Sequence, residues 1–157
     1  MAATLKRIDI LGRDLLAVYR VTDGRYEDLD FDRETKSARG QLNDLSLAEG
    51  VSNGVQAVIH RIKTVKGELD DLGHPEYGSR HHELIGQPNT ENNRNLVKLY
   101  IIQALGYETR IEKIHRADIV FDRQRAPDRV DISLTFSFIG EPKPQNLVIP
   151  FSFERVL

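Results

Sequence analysis

Three histidines, His74, His81 and His82, fall among Asp70, Asp71, Glu76 and Glu83, a donor set with the chemistry to ligate a metal ion. Their spacing matches no recurring ligand pattern, and neighbours on an extended segment point to opposite faces, so they read as loop histidines that hydrogen-bond locally. Glycoside hydrolysis needs two carboxyls roughly 5 to 9.5 Å apart across a sugar cleft, and Glu68 with Glu76 or Glu108 is the pair on offer. The chain has no tryptophan and few aromatics outside its expected core, which is poor material for stacking sugars. Upstream, in the acidic run Glu27, Asp28, Asp30 and Asp32, the three aspartates alternate as in a calcium loop. Arg33 and Arg39, however, stand where that loop needs its glycine and its bidentate glutamate. Ser79 near His81 lacks the strand-turn-helix setting of a nucleophile, and no glycine-rich segment forms a phosphate cradle. The expectation is therefore a protein without catalytic residues, metal or cofactor.

Composition narrows the partners. The 157 residues are 39% hydrophobic and 29% charged, and such a chain can bury roughly two thirds of the surface it exposes when unfolded. A net charge of -2, with both signs interspersed, leaves no basic footprint for nucleic acid or anionic lipid and favours protein partners or small ligands. Zero cysteines exclude disulfides and thiolate chemistry and suit a reducing cytoplasm. The N-terminal sequence has too short an apolar run for an export signal, and no run approaches the about 18 residues of a membrane span.

The elements that must position these residues fall into two parts. Residues 1–40 read as an N-terminal extension of short strands or an arm, with Ile8, Ile10, Leu11, Leu15, Leu16, Val18, Tyr19 and Val21 broken up by Gly12 and the Thr22-Asp23-Gly24 turn. The irregular third ends near Ser46, and residues 41–157 read as the main domain. Val55, Val58, Ile59 and Ile62 repeat with helical period, with Ser52 or Asn53 available as N-cap and Arg61 and Lys63 at the favourable end of the helix dipole. A loop follows in which Gly67, Gly73, Pro75 and Gly78 set backbone angles around Glu68 and Tyr77. Asn89 or Thr90 can cap a second helix whose face is Leu96, Leu99, Tyr100, Ile102 and Leu105, ended by Gly106.

The C-terminal third alternates with period two. Ile119 and Phe121, then Val130, Ile132, Leu134, Phe136 and Phe138, then Leu147, Ile149, Phe151 and Phe153 each mark one buried face, divided by RAPD and GEPKP turns. Asp131, Ser133, Thr135 and Ser137 take the wet face of the middle strand, and Pro150 places the last strand at a sheet edge. The fold class expected is α+β: an antiparallel C-terminal meander packed with two main helices and preceded by an extended N-terminal segment.

Several ordered motifs point further. Leu45 through Gly50, VQAVIHRIKT, the GEL at Gly67 to Leu69, the HPEYGS at His74 to Ser79, ELIGQPN, and the YETRI at Tyr107 to Ile111 follow one another with consistent spacing. Over residues 40–153 this series resembles the baseplate wedge and sheath-initiator family of contractile phage tails and related injection systems, whose members have often been labelled lysozyme-like. The resemblance implies a structural baseplate component, present in several copies around a central axis and assembled in the cytoplasm into a tail or tail-like particle. Its implied partners are other wedge subunits, the sheath subunit and hub or tube proteins.

The resemblance also assigns residues. A Glu-Pro-Arg motif after the second helix of the family, implied to contact the core bundle of larger wedge subunits, matches Glu108, Thr109 and Arg110, with threonine in place of the proline. The residues themselves leave a second possibility, that Glu108 and Arg110 pair inside the domain. Sheath pairing by added strands is assigned to residues 130–153, with Asp131, Ser133, Thr135, Ser137, Val148, Pro150 and Ser152 on the strands concerned. Two alternatives stand beside this reading. One is a peptidoglycan glycosidase using Glu68 and a second carboxylate. The other is a regulatory binding domain, since a stress-response antiadaptor that binds a signalling receiver protein has the same fold.

Overall fold

The structure, a computed structural model, describes residues 10–22, 25–31, 46–122, 124 and 126–154. The chain divides into two compact units, Met1–Gln56 and Ala57–Leu157. The expected boundary at residues 40 and 41, and the calcium-like positions Asp32, Arg33 and Arg39, lie outside the described residues.

In the first unit, β1 (Arg13–Leu15) pairs antiparallel with β4 (Leu47–Glu49), and β2 (Ala17–Thr22) with β3 (Arg25–Phe31). Ile10 and Leu11, expected in a strand or arm, are helical instead. The chain leaves β4 through Gly50, whose φ of 56° lies in the left-handed region open to glycine. The Gly50 carbonyl accepts the Gly54 N–H at 2.9 Å, so α1 (Val51–Lys63) begins at Gly50. Ser52 and Asn53 therefore sit inside the helix and do not cap it. Asn53 and Gln56 are both buried, and their amides satisfy backbone groups of the preceding segment: Asn53 Nδ2 donates to the Leu11 carbonyl at 2.7 Å. Gln56 Nε2 donates to that of Leu15 at 2.8 Å, and its Oε1 accepts the Ala17 N–H at 2.9 Å.

The second unit holds a three-stranded antiparallel sheet in the order β5 (Ile111–Val120), β6 (Arg129–Phe138), β7 (Gln145–Ser152), together with α2 (Glu91–Gly106). The α+β class and the C-terminal meander are thus as the sequence pattern predicts. Val130, Ile132, Leu134, Phe136 and Phe138 are buried on β6 while Arg129, Asp131, Ser133 and Thr135 are half-buried. Ser137 departs from the wet face: it is buried, with its hydroxyl 3.1 Å from His115 Nε2. Ile149, Phe151 and Phe153 extend the core, and Phe151 meets Phe153 edge to face at 5.0 Å.

β5 does not follow a simple alternation. Its pairing with β6 shifts register between Ile111 and Lys113 and again between Ile114 and Arg116, so inward residues fall at irregular intervals. Phe121, expected inside, lies beyond the strand and is exposed, with the Arg94 guanidinium 4.1 Å from its ring centroid. On α2, Thr90 is the N-cap, its hydroxyl accepting the Asn93 N–H at 3.2 Å. The buried face is Val97, Ile101, Ala104 and Leu105, whereas Leu99 is 47% exposed and Ile102 is half-buried. The expected face is thus turned around the axis, because apolar residues surround this helix and only tertiary packing selects among them. Among the described residues no helix is long and apolar enough to cross a membrane.

Candidate functional site

The loop between α1 and α2 folds back on its own entry. Val65 pairs with Ser79 in a parallel bridge, the Ser79 N–H reaching the Thr64 carbonyl at 2.9 Å and the Lys66 N–H the Ser79 carbonyl at 3.1 Å. Gly78 makes this closure possible. Its φ is 96°, and a Cβ there would stand 2.8 Å from the Thr64 and Val65 carbonyl oxygens, too close for any side chain. Gly67, Glu68 and Pro75 lie on the exposed rim, with Glu68 Oε2 accepting the Val65 N–H at 3.1 Å. Tyr77 is half-buried beneath Arg61, whose guanidinium carbon stands 4.4 Å from the ring centroid.

The turn after α2 meets this loop. Glu108, with 4% of its side chain exposed, receives Arg110 as a fork, Nε to Oε1 at 2.6 Å and Nη2 to Oε2 at 3.1 Å, and Arg61 Nε reaches Oε2 at 3.3 Å. Burial alone would push the Glu108 carboxyl up. The hydrogen bonds and charge of Arg110, with the charge of Arg61, outweigh it and hold the group below the ordinary glutamate range. The bond to Glu108 in turn raises Arg110. Thr109 is exposed. Glu108 and Arg110 thus pair within the unit, as one reading of the sequence allowed. Arg61, 47 residues upstream of Glu108, was legible only as a dipole-favoured charge at the end of a helix.

Beside this ion cluster runs a row of cations over tyrosines. Lys66 Nζ lies 5.6 Å from the Tyr107 ring and Arg80 Cζ 4.7 Å from that of Tyr100. Lys66 also pairs with Glu76 at 2.7 Å, and Arg80 with Glu83 at 2.8 Å. Hydrogen bonds from Lys66 and Tyr107 lower Glu76, and the bond from Arg80 lowers Glu83.

The histidines are not on an extended segment. His81 and His82 occupy a 3-10 turn, His81–Leu84, which brings their ring centroids to 3.9 Å rather than to opposite faces. His81 is 3% exposed, its Nδ1 2.9 Å from the Ser79 hydroxyl and its ring 5.2 Å from Phe151. Burial, helped by the neighbouring His82, lowers its pKa from 6.5 to about 3. His82 is lowered too, chiefly by burial, against its bond to the Ile62 carbonyl and the charge of Glu68.

On the sheet, Asp131, Ser133, Thr135 and Ser137 belong to the central strand, whose two backbone sides are taken by β5 and β7. An added strand cannot pair there, so of the assigned positions only Val148, Pro150 and Ser152 stand on an outermost strand of the described sheet. The Phe153 N–H donates to the Asp128 carbonyl at 2.8 Å in the same register, so odd-numbered residues of β7 turn their backbone toward β6. Pro150 then faces outward, where its missing N–H costs the ladder nothing.

No protein-family model matches this chain. No curated protein matches it either. Among solved structures, the fold is similar to a crystal structure from Geobacter sulfurreducens described as a candidate tail lysozyme. The TM-score is 0.52 and the identity 19%, over 62% of this chain and 85% of that one. At that identity the likeness is one of fold.

Proposed function

We propose that this chain is an assembly component of a contractile tail or tail-like injection apparatus and not a hydrolase. Two supports come from outside the site: the ordered motifs over residues 40–153, and the fold shared with a protein whose description refers to a tail. The observation that carries the reading is the state of the carboxylates. A glycosidase needs one carboxylic acid kept protonated by a raised pKa. Here Glu76 and Glu108 are both lowered and tied to cations, so each is held as an ion and spent on internal contacts. In this reading the Glu108 turn faces larger wedge subunits, and β7 is where sheath strands add by main-chain pairing, Val148 and Ser152 offering both N–H and C=O outward and Pro150 its carbonyl alone.

Turbidity of a peptidoglycan suspension, followed with the purified chain, separates assembly from hydrolysis. No clearing is expected at any pH, and Glu68→Gln and Glu108→Gln variants match the wild type in that assay. Clearing that is abolished by either substitution makes the chain a glycosidase and overturns the proposal.

A further inference from the structure

The outward face of α2 is built unlike a wetted surface. A helix turns about 100° per residue, so Asn92, Asn95, Leu96, Leu99, Ile102, Gln103 and Gly106 all lie within about 60° of Leu99. That sector stands opposite Val97, Ile101 and Ala104, which are buried. None of its residues is charged, although 29% of the chain is, and the face that a helix turns to water ordinarily carries the charges. Leu99, at its centre, is 47% exposed; Leu96 and Ile102 beside it are half-buried, and the others are exposed. The nearest charges, Glu91 and Lys98, fall on the flank of the stripe. Gly106 leaves an opening at its end, where a Cβ would meet nothing within 4 Å. A partner backbone can come close at that point.

The stripe is complementary to itself. Set antiparallel against a copy about a two-fold axis at Leu99, each residue faces the one equally far along on the other side of Leu99. Leu99 then meets Leu99, Leu96 meets Ile102, Asn95 meets Gln103, and Asn92 meets the open backbone at Gly106. Apolar side chains fall on apolar ones, and amides, each both donor and acceptor, fall on amides, with no charge buried between them. We propose that the free chain pairs with a second copy of itself through this face of α2, the two helices antiparallel and Leu99 on the two-fold axis. The pairing goes beyond the assembly reading, which assigns its contacts to the Glu108 turn and to β7. A single helix pair buries less than the roughly 1,200 Å² at which stable interfaces begin, so the dimer is weak and dissociates on dilution.

Sedimentation of the purified full chain over a concentration series tests this, with the melting temperature of each variant in dilute solution as the check on folding. The wild type is expected to pass from monomer to dimer as its concentration rises toward about 1 mM. Leu99→Glu sets two carboxylates against each other on the axis. It should melt like the wild type, since the site is exposed, and weaken pairing by at least about tenfold. Register is read from engineered disulfides, because the chain has no cysteine of its own. Leu99→Cys should cross-link to itself on mild oxidation, and Asn95→Cys chains should cross-link to Gln103→Cys chains better than either does alone. A wild type that stays monomeric over the whole series overturns the inference. So does a dimer that Leu99→Glu leaves intact, or an Asn95→Cys chain that cross-links best to itself, which sets the helices parallel. A monomeric chain that loses its hold on another tail subunit through Leu99→Glu gives the face to that subunit, and overturns the second copy while leaving the assembly reading standing.

Discussion

Gly73 and Gly78 share left-handed backbone angles, φ 82° and 96°, but a Cβ at Gly73 meets nothing within 4 Å while one at Gly78 meets backbone at 2.8 Å. Gly73→Ala should therefore cost only the strain of the backbone, about 1 to 2 kcal/mol, whereas Gly78→Ala must also prise Ser79 from Thr64 and should cost clearly more. Thermal melting of the two variants checks the difference. The histidines give a second prediction. Unfolded, His81 takes up a proton near pH 6.5, but the folded chain takes none there until about pH 3, so stability is full above 6.5 and falls as pH drops below it. The slope reaches about 1.4 kcal/mol per pH unit for each such proton, and His82 adds to it in the same direction. Glu108, lowered in the fold, adds a further loss as pH falls below 4.5 toward its folded value. Urea unfolding at pH 7.5, 6 and 5 should show the histidine slope, and His81→Gln should reduce it; a flat profile in the wild type contradicts the buried neutral imidazole.

Elements were legible where one face meets water and the other the core. β6 alternates over its whole length, and Val130 to Phe138 can be placed from the sequence because pleating and burial share a period of two. β5 hid its run because two register shifts space Ile111, Ile114 and Ala117 three apart, an interval that mimics a helix. α2 was legible in extent and cap but not in face, since Leu96, Val97, Leu99, Ile101, Ile102 and Leu105 surround the axis. Its true face is testable: Ile101→Ala, at a fully buried position, should cost about 2 to 5 kcal/mol. Leu99→Ala should cost less than about 1 kcal/mol, being an exposed site. Equal losses in chemical denaturation would place the face where the sequence suggested. The ion cluster was half legible. Glu108 and Arg110 are two residues apart and announce each other, but Arg61 and Tyr77 arrive from another helix and loop, and only the folded chain brings them together.

At the scale of the whole molecule, the second unit uses the Arg61–Glu108–Arg110 cluster and the Lys66–Glu76 pair to tie the α1 exit to the turn into β5, next to the backbone closure at Gly78. The same junctions present the exposed Tyr107 and the half-buried Arg110, and the described sheet ends in a strand whose proline faces outward. Rigid elements carrying short exposed turns suit the connector role proposed above. A connector of this kind should be needed for the particle to form, and dispensable for any chemistry on the cell wall. Electron microscopy of particles made with and without this chain is the most direct measurement. The account predicts that its removal leaves tubes without an organised baseplate or sheath, and that the wild-type gene supplied in trans restores both. Fully sheathed, contractile particles formed in its absence would contradict it.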